Sequence, residues 1–317
     1  MQAVILAAGK GSRLHPITTS ISKAMLPVLG KPIVERVMES IASCGVGDFI
    51  LVISPTDDEI RTYFENESEL DIVLHFAYQP ERLGMADALM QAVPLIKEDF
   101  ILSACDNLVS LEEVRNLISG WKMDQNLDGL LAVIRIPQDE MVRSGMVTME
   151  GDRVTDIVEK PSMDLISSDI ASMPLYCFSP RILDFLPQTQ LSPRGERELQ
   201  DAIQMLIQEG GDVRGCFFQK RFALTTPRDL LEINQHYLES SKQNWQNKPM
   251  VVGPGTQLIE PLYIEDGAII GAGCMIGPNV YIGKNARVGN NVRLRNVVVL
   301  EHAFIMDHLD LFDQLVT

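Results

Sequence analysis

Short apolar runs alternating with helix-spaced stretches fill the first 240 residues. Residues 1–6 (MQAVIL) read as a buried strand that runs into Ala7-Ala8-Gly9-Lys10-Gly11-Ser12-Arg13. A helix is expected over 34–43, with strands at 49–53, 71–77 and 100–104. The last of these ends directly on Cys105-Asp106-Asn107. Residues 130–136 and 146–149 extend the sheet, with Gly151-Asp152 as a hairpin turn. This rhythm predicts an α/β fold. In open sheets of that kind ligands bind at the carboxyl ends of strands, where Gly9 and Asp106 would both lie.

The pattern dissolves into polar residues at 241–249 (SKQNWQNKP), which marks a linker between domains at 1–240 and 249–317. Beyond it Val252, Leu258, Ile264, Ile270, Ile276, Ile282, Val288, Leu294 and Leu300 recur on one phase, six residues apart. Four positions after most of them stand Leu262, Ala268, Cys274, Val280, Ala286, Val292 and Val298. Such a period predicts a parallel β-helix of roughly three coils. Leu309, Phe312, Leu315 and Val316 are helix-spaced, so 307–316 is expected to be a capping helix.

At 317 residues, 46% apolar and 22% charged, the chain has the makings of a folded core. Its net charge of −16 argues against a nucleic-acid or anionic-membrane partner, since phosphate backbones demand a basic face. A single triphosphate is compatible with it, needing only a few local cations. No apolar run is long enough for a membrane span, and the first residues lack the regions of a signal peptide. Cys44, Cys105, Cys177, Cys216 and Cys274 show no disulfide or metal spacing, so buried free thiols in a reducing cytoplasm are expected.

Chemistry enters with the glycine turn. Gly9 and Gly11 lack a Cβ and can adopt φ > 0, letting backbone N–H groups approach phosphate oxygens, while Arg13 and Lys23 add fixed positive charge. Leu14 stands where the dinucleotide fingerprint needs a third glycine, and no Gly-Lys-Ser/Thr closes a P-loop here. The whole string AAGKGSRLHPITTSISKAMLPVLGKPI resembles the N-terminal motif of the sugar-1-phosphate nucleotidyltransferases, and its Ser-Lys-x-x-Leu-Pro-Val piece looks closest to the glucose-1-phosphate thymidylyltransferase branch.

That resemblance implies a Rossmann-like mixed-sheet domain followed by a short left-handed β-helix of hexapeptide repeats. It implies attack of a sugar 1-phosphate oxygen on the α-phosphorus of dTTP or UTP, with pyrophosphate leaving and Mg²⁺ as cofactor. Arg13, Lys23 and Asp106 become the catalytic set, with Asp106 as the metal ligand. Leu6, Ala8, Gly9, Gly11, Gln79 and Gly84 would hold the nucleotide, Gln79 reading the base. Gly145, Glu159, Lys160 and Glu198 would surround the sugar phosphate. Read without the resemblance, Asp106 could instead cap the helix near Leu111, and Glu198 could be a helix-start charge.

Two stretches depart from the family pattern. Ala223 stands where a second metal-binding aspartate is expected, and Ser172-Met173-Pro174-Leu175-Tyr176 replaces a glycine-containing sugar-pocket segment. The first raises an alternative reading, a catalytically degenerate NDP-sugar-binding regulator. His302 in the repeat region raises another, acetyl transfer, although three coils look short for it. A homo-oligomer built through the β-helix is the expected assembly.

Overall fold

The computed structural model describes residues 1–19, 21–240 and 249–317. The polar stretch expected to be a linker lies almost wholly outside the described residues. The chain forms two compact units, one of Met1–Lys10, Ser22–Ala24 and Val34–Phe222, the other of Gly11–Ile21, Met25–Ile33 and Ala223–Thr317.

The first unit is built on a nine-stranded mixed sheet. Its strands are β1 (Gln2–Leu6), β2 (Asp48–Ile53), β3 (Val73–Tyr78), β4 (Phe100–Ala104), β5 (Gly129–Arg135), β6 (Gly145–Glu150), β7 (Arg153–Glu159), β8 (Ile170–Phe178) and β9 (Val213–Phe217). The order across the sheet is β3-β2-β1-β4-β8-β5-β9-β7-β6. The first four of these strands run parallel, so Ile53, Leu6 and Ala104 end at one edge with Tyr78. All five residues of β1 are buried, as a strand covered on both faces must be. Val4, Leu6, Ile50, Val52 and Phe100 share a core with Leu89 of α3 (Met85–Ala92) and Leu199, Ile203 and Leu206 of α5 (Leu199–Gln208). Pro174 sits where the β8 register breaks between Ser172 and Tyr176, a place that tolerates a missing N–H donor.

In the second unit, strands pair in parallel with strands eighteen residues on: Val251 with Ile269, Ile269 with Arg287, Leu262 with Val280. Ile264, Ile270, Ile276, Ile282, Val288 and Leu294 are buried together with Ala268, Cys274, Val280, Ala286 and Val292, so both phases of the repeat point inward. Val252 is exposed on the edge strand. Near the end the step shortens to seventeen, because Asn296 turns the chain with one residue fewer than the Gly277-Pro278-Asn279 corner. Val299 therefore pairs with Ile282, and Leu300 is out of phase.

The expected C-terminal capping helix is not formed. Asp310–Val316 is a strand in parallel register with Arg293–Val299. The open edge offers backbone partners that a lone helix would forgo, and the corner chemistry continues into it. Asn279 Nδ2 donates to Asn296 Oδ1 (3.0 Å) and Asn296 Nδ2 to Asp313 Oδ1 (2.8 Å), all three residues in left-handed backbone.

A hairpin of the same unit pairs Pro27–Val28 with Lys31–Pro32 through Leu29 and Gly30, both at positive φ. Asn234, fully buried on α6 (Pro227–Ser240), accepts from Leu29 N–H (3.0 Å) and donates to Pro27 O (3.2 Å). A Cβ at Gly30 would overlap the Glu265 carboxyl, and its φ of 77° is strained for any other residue.

No helix among the described residues is long and apolar enough to cross a membrane. All five cysteines are free; Cys105, Cys177 and Cys274 are buried, whereas Cys44 and Cys216 are only half-buried.

Candidate active site

The carboxyl ends of β1, β3 and β4 carry Leu6 with Ala8 and Gly9, Gln79, and Asp106. Ala7 N–H donates to Val52 O (2.8 Å) and Cys105 N–H to Leu6 O (3.1 Å), which straps three strand ends together. Ala8 is buried beneath the turn and Gly9 is exposed. A Cβ built on Gly9 would meet no atom within 4 Å, so this glycine leaves open space for a ligand. Of the two turn glycines only Gly11 takes left-handed backbone (φ 61°, ψ 30°), where it starts the Ser12–Leu14 turn. Gly11 and the exposed Arg13 belong to the second unit.

Asp106 follows β4 and forms an ion pair with Lys23 Nζ, both side chains mostly buried. The helix-cap reading of Asp106 is excluded. Ser110 caps α4 (Leu111–Met123), accepting from Glu113 N–H at 3.2 Å, with the Glu113 carboxylate accepting from Ser110 N–H in return. Beside the pair, burial pushes the Cys105 thiol up to about 12, with Asp106 adding to the effect, so this thiol stays protonated.

Among the described residues no group of three His, Cys, Asp or Glu could enclose a metal ion. Asp106 is the candidate carboxylate donor in the first unit. That suits Mg²⁺, which keeps several waters and binds through one or two carboxylates plus substrate phosphates. Ala223, in the short strand Phe222–Ala223, offers no ligating side chain and belongs to the second unit.

Gln79 follows β3 and is 3% exposed. Its Nε2 donates to Gly84 O (3.1 Å) and Asp87 Oδ2 (2.8 Å), so both amine hydrogens are used and the carbonyl oxygen remains as acceptor. Gly84 has φ 97°, and a Cβ there would lie 2.6 Å from Arg197 O. Arg197 N–H donates to Leu83 O (2.6 Å) and Ala86 N–H to Arg197 O (3.1 Å), locking the loop against the segment before α5.

That segment leads to the sugar-side candidates. Glu198 stands at the N-cap position of α5 without capping it; its Oε1 accepts from Ser192 Oγ (2.9 Å) and Arg194 Nη2 (2.7 Å). Glu159, ending β7, pairs with Lys160 Nζ at 3.1 Å. Burial pushes the Glu159 carboxyl up; Lys160 opposes the shift and Glu198 adds to it, so the two carboxylates sense each other. Lys160 holds left-handed backbone (φ 47°) and its N–H donates to Ser144 O (2.9 Å). A Cβ on Gly145 would meet Ser172 Oγ at 2.6 Å, Glu159 Oε2 at 3.0 Å and Gln200 Cγ at 3.3 Å. Gly145, Glu159, Ser172 and Gln200 thus converge, and the hydrogen-bonded Arg197 segment links Glu198 to the Gln79 loop.

Sequence reasoning passed over Arg82 and Asp57 as site residues. Asp57 looks like an ordinary helix N-cap before α2 (Asp58–Asn66), and Arg82 like a solvated loop charge. The only available signal was their place just after strands β2 and β3.

Residues 2–240 match the family described as Nucleotidyl transferase, and residues 258–316 the GMPPB C-terminal domain. A UTP–glucose-1-phosphate uridylyltransferase of Haloferax volcanii is 31% identical over 77% of this chain and 99% of its own length. A glucose-1-phosphate thymidylyltransferase of Streptomyces griseus is 31% identical over 84% of this chain and 74% of its own. Among solved structures, UDP-glucose pyrophosphorylase complexed with UDP-glucose shares the fold with a TM-score of 0.68, at 21% identity, covering 76% of this chain and 99% of that one. With residues 2–240, three quarters of its length, matched to that family and relatives 31% identical over most of the chain, this chain belongs to the nucleotidyl transferase family of enzymes.

Proposed function

We propose that this chain transfers a nucleoside monophosphate from UTP or dTTP to a sugar 1-phosphate of the glucose type, releasing pyrophosphate. The observation that carries the reading is the Lys23–Asp106 pair beside the open Gly9 turn, on an edge that continues to the Gln79 loop and the Glu159–Glu198 cluster. The two curated relatives bear names with different pyrimidine bases and the same sugar phosphate, which supports that substrate class. Gln79 is compatible with it: its carbonyl oxygen can accept from the imino N3–H of uracil or thymine, where cytosine has only a lone pair.

In this reading the sugar phosphate oxygen attacks the α-phosphorus in line as the phosphorus–oxygen bond to pyrophosphate breaks. Such chemistry needs positioning and charge neutralisation more than covalent help. Lys23 and Arg13 neutralise phosphate charge, Glu159 accepts from a sugar hydroxyl, and Lys160 grips the sugar's phosphate. Asp106 would hold Mg²⁺, which when bound supplies Lewis-acid neutralisation of the triphosphate.

The repeat region is read as a left-handed β-helix of hexapeptide repeats, on which the chain assembles as a homo-oligomer. A reducing cytoplasm suits its five free thiols. The test is a grid of nucleoside triphosphates against sugar 1-phosphates, scored by pyrophosphate with Mg²⁺ present. UTP or dTTP with glucose 1-phosphate should give the highest rate, abolished in Asp106→Asn. Nucleotide-sugar binding without turnover across the grid would favour the regulator suggested by Ala223 and overturn the enzymatic reading.

A further inference from the structure

Arg82 lies outside the motifs that define the proposed reaction, yet it joins two of its parts. Its Nε donates to Ala8 O at 2.7 Å, on the glycine turn. Its Nη2 lies 3.7 Å from Asp57 Oδ1. Asp57 occupies the N-cap position of α2 and forms no capping bond. Its Oδ2 is buried without a hydrogen-bond partner among the described residues, and burial pushes its carboxyl up. An aspartate in that position ordinarily stabilises its helix by capping. Here it forgoes that role and presents a mostly buried carboxylate to a guanidinium. Meanwhile the loop bearing Arg82 is anchored beyond it, where Leu83 O accepts from Arg197 N–H and Gly84 O accepts from Gln79.

We infer that Arg82, seated by Asp57, is a positioning residue for the nucleoside triphosphate, clipping the base-side loop at 79–84 to the Ala8–Gly9 turn. The inference rests on the reading that both segments hold the nucleotide. Arginine suits the task because its planar fork reaches a carbonyl and a carboxylate at once, where lysine offers a point charge. Without the clip the turn and the loop move independently, and the binding site for base and ribose loses its preorganisation.

The experiment titrates UTP and dTTP, with Mg²⁺ present, into wild-type protein, Arg82→Gln, Arg82→Lys and Asp57→Asn, and measures KM for both substrates, kcat and Tm. Arg82→Gln should weaken nucleotide binding about tenfold, the loss expected for a hydrogen bond from a charged group. KM for the sugar 1-phosphate should stay within about twofold, with a small fall in Tm because the Asp57 carboxylate loses its partner. Asp57→Asn should shift nucleotide affinity in the same direction by less, and Arg82→Lys should recover only part of it. Unchanged nucleotide affinity in Arg82→Gln overturns the inference. So does a loss shared equally by the sugar 1-phosphate and accompanied by a large fall in Tm, which marks a purely structural role. Should Arg82→Gln fail to fold, Arg82→Lys and Asp57→Asn carry the same comparison, and unchanged nucleotide affinity in both overturns the inference. If wild-type protein binds nucleotide but releases no pyrophosphate, the proposed reaction falls while the binding series still decides the role of Arg82.

Discussion

Lys23 and Asp106, 83 residues apart in sequence, close on each other as one mostly buried ion pair at the end of β4. Removing one member of such a pair strands a buried charge, whereas removing both does not. Lys23→Met should therefore lower Tm by more than the Lys23→Met/Asp106→Asn double variant does. Pyrophosphate release should fall by about a hundredfold or more in either, as expected when transition-state charge loses its partner. Thermal melts and turnover on all four members of the cycle provide the check.

Gly145 is a packing limit on the sugar side. A methyl there would press on Ser172 Oγ and Glu159 Oε2. Gly145→Ala should raise KM for the sugar 1-phosphate about tenfold or more while KM for the nucleoside triphosphate stays within about twofold. Steady-state kinetics with each substrate varied in turn would show equal losses in both if the alanine merely unsettled the fold.

The raised carboxyl of Glu159 sets a pH dependence. Its neutral form is favoured by burial, so its contribution to stability is fully present below the ordinary value of 4.5 and is lost as pH rises through the raised folded value. At neutral pH the ionised group therefore opposes folding. Glu159→Gln should raise Tm at pH 7, and the gain should narrow as melts are repeated toward pH 4. The same substitution should weaken sugar 1-phosphate binding, since an ionised acceptor is lost.

On the proposed reading, in which Ala223 stands where the resemblance implies a second metal-binding aspartate, Ala223→Asp should lower the Mg²⁺ concentration that gives half-maximal activity. A Mg²⁺ titration of activity in wild type and variant reads this directly. A metal dependence unchanged or worsened would mean the aspartate position lies elsewhere in the chain.

Much of the first unit was readable because burial on both faces writes itself as apolar runs, as in Gln2–Leu6 and Phe100–Ala104. The C-terminal segment misled for a definite reason. Leu309, Phe312, Leu315 and Val316 fit a helical stripe, while the signals for a strand were Asp313 standing seventeen residues after Asn296 and the open edge of Arg293–Val299. Local spacing competes poorly with a partner brought from elsewhere in the chain. At the sheet edge, residues whose chemistry is local, such as Asp106 after its strand, could be singled out from sequence. Arg82 and Asp57 could not, because their meaning lies in a carbonyl 74 residues away and in a cap that is not made. Lys160 likewise gave no hint of its left-handed backbone.

The hold of Asn234 on the Leu29–Gly30 hairpin has a consequence for how the protein is made. The amide of Leu29 waits for an acceptor 205 positions downstream. At ordinary synthesis speeds that interval is roughly 10–40 s, during which the strained leucine turn has no buried amide to settle on. The Leu29 turn thus takes its final form only after Asn234 has been made. A chain cut short before α6 would carry the phosphate-handling sequence without the clasp that shapes its closing turn.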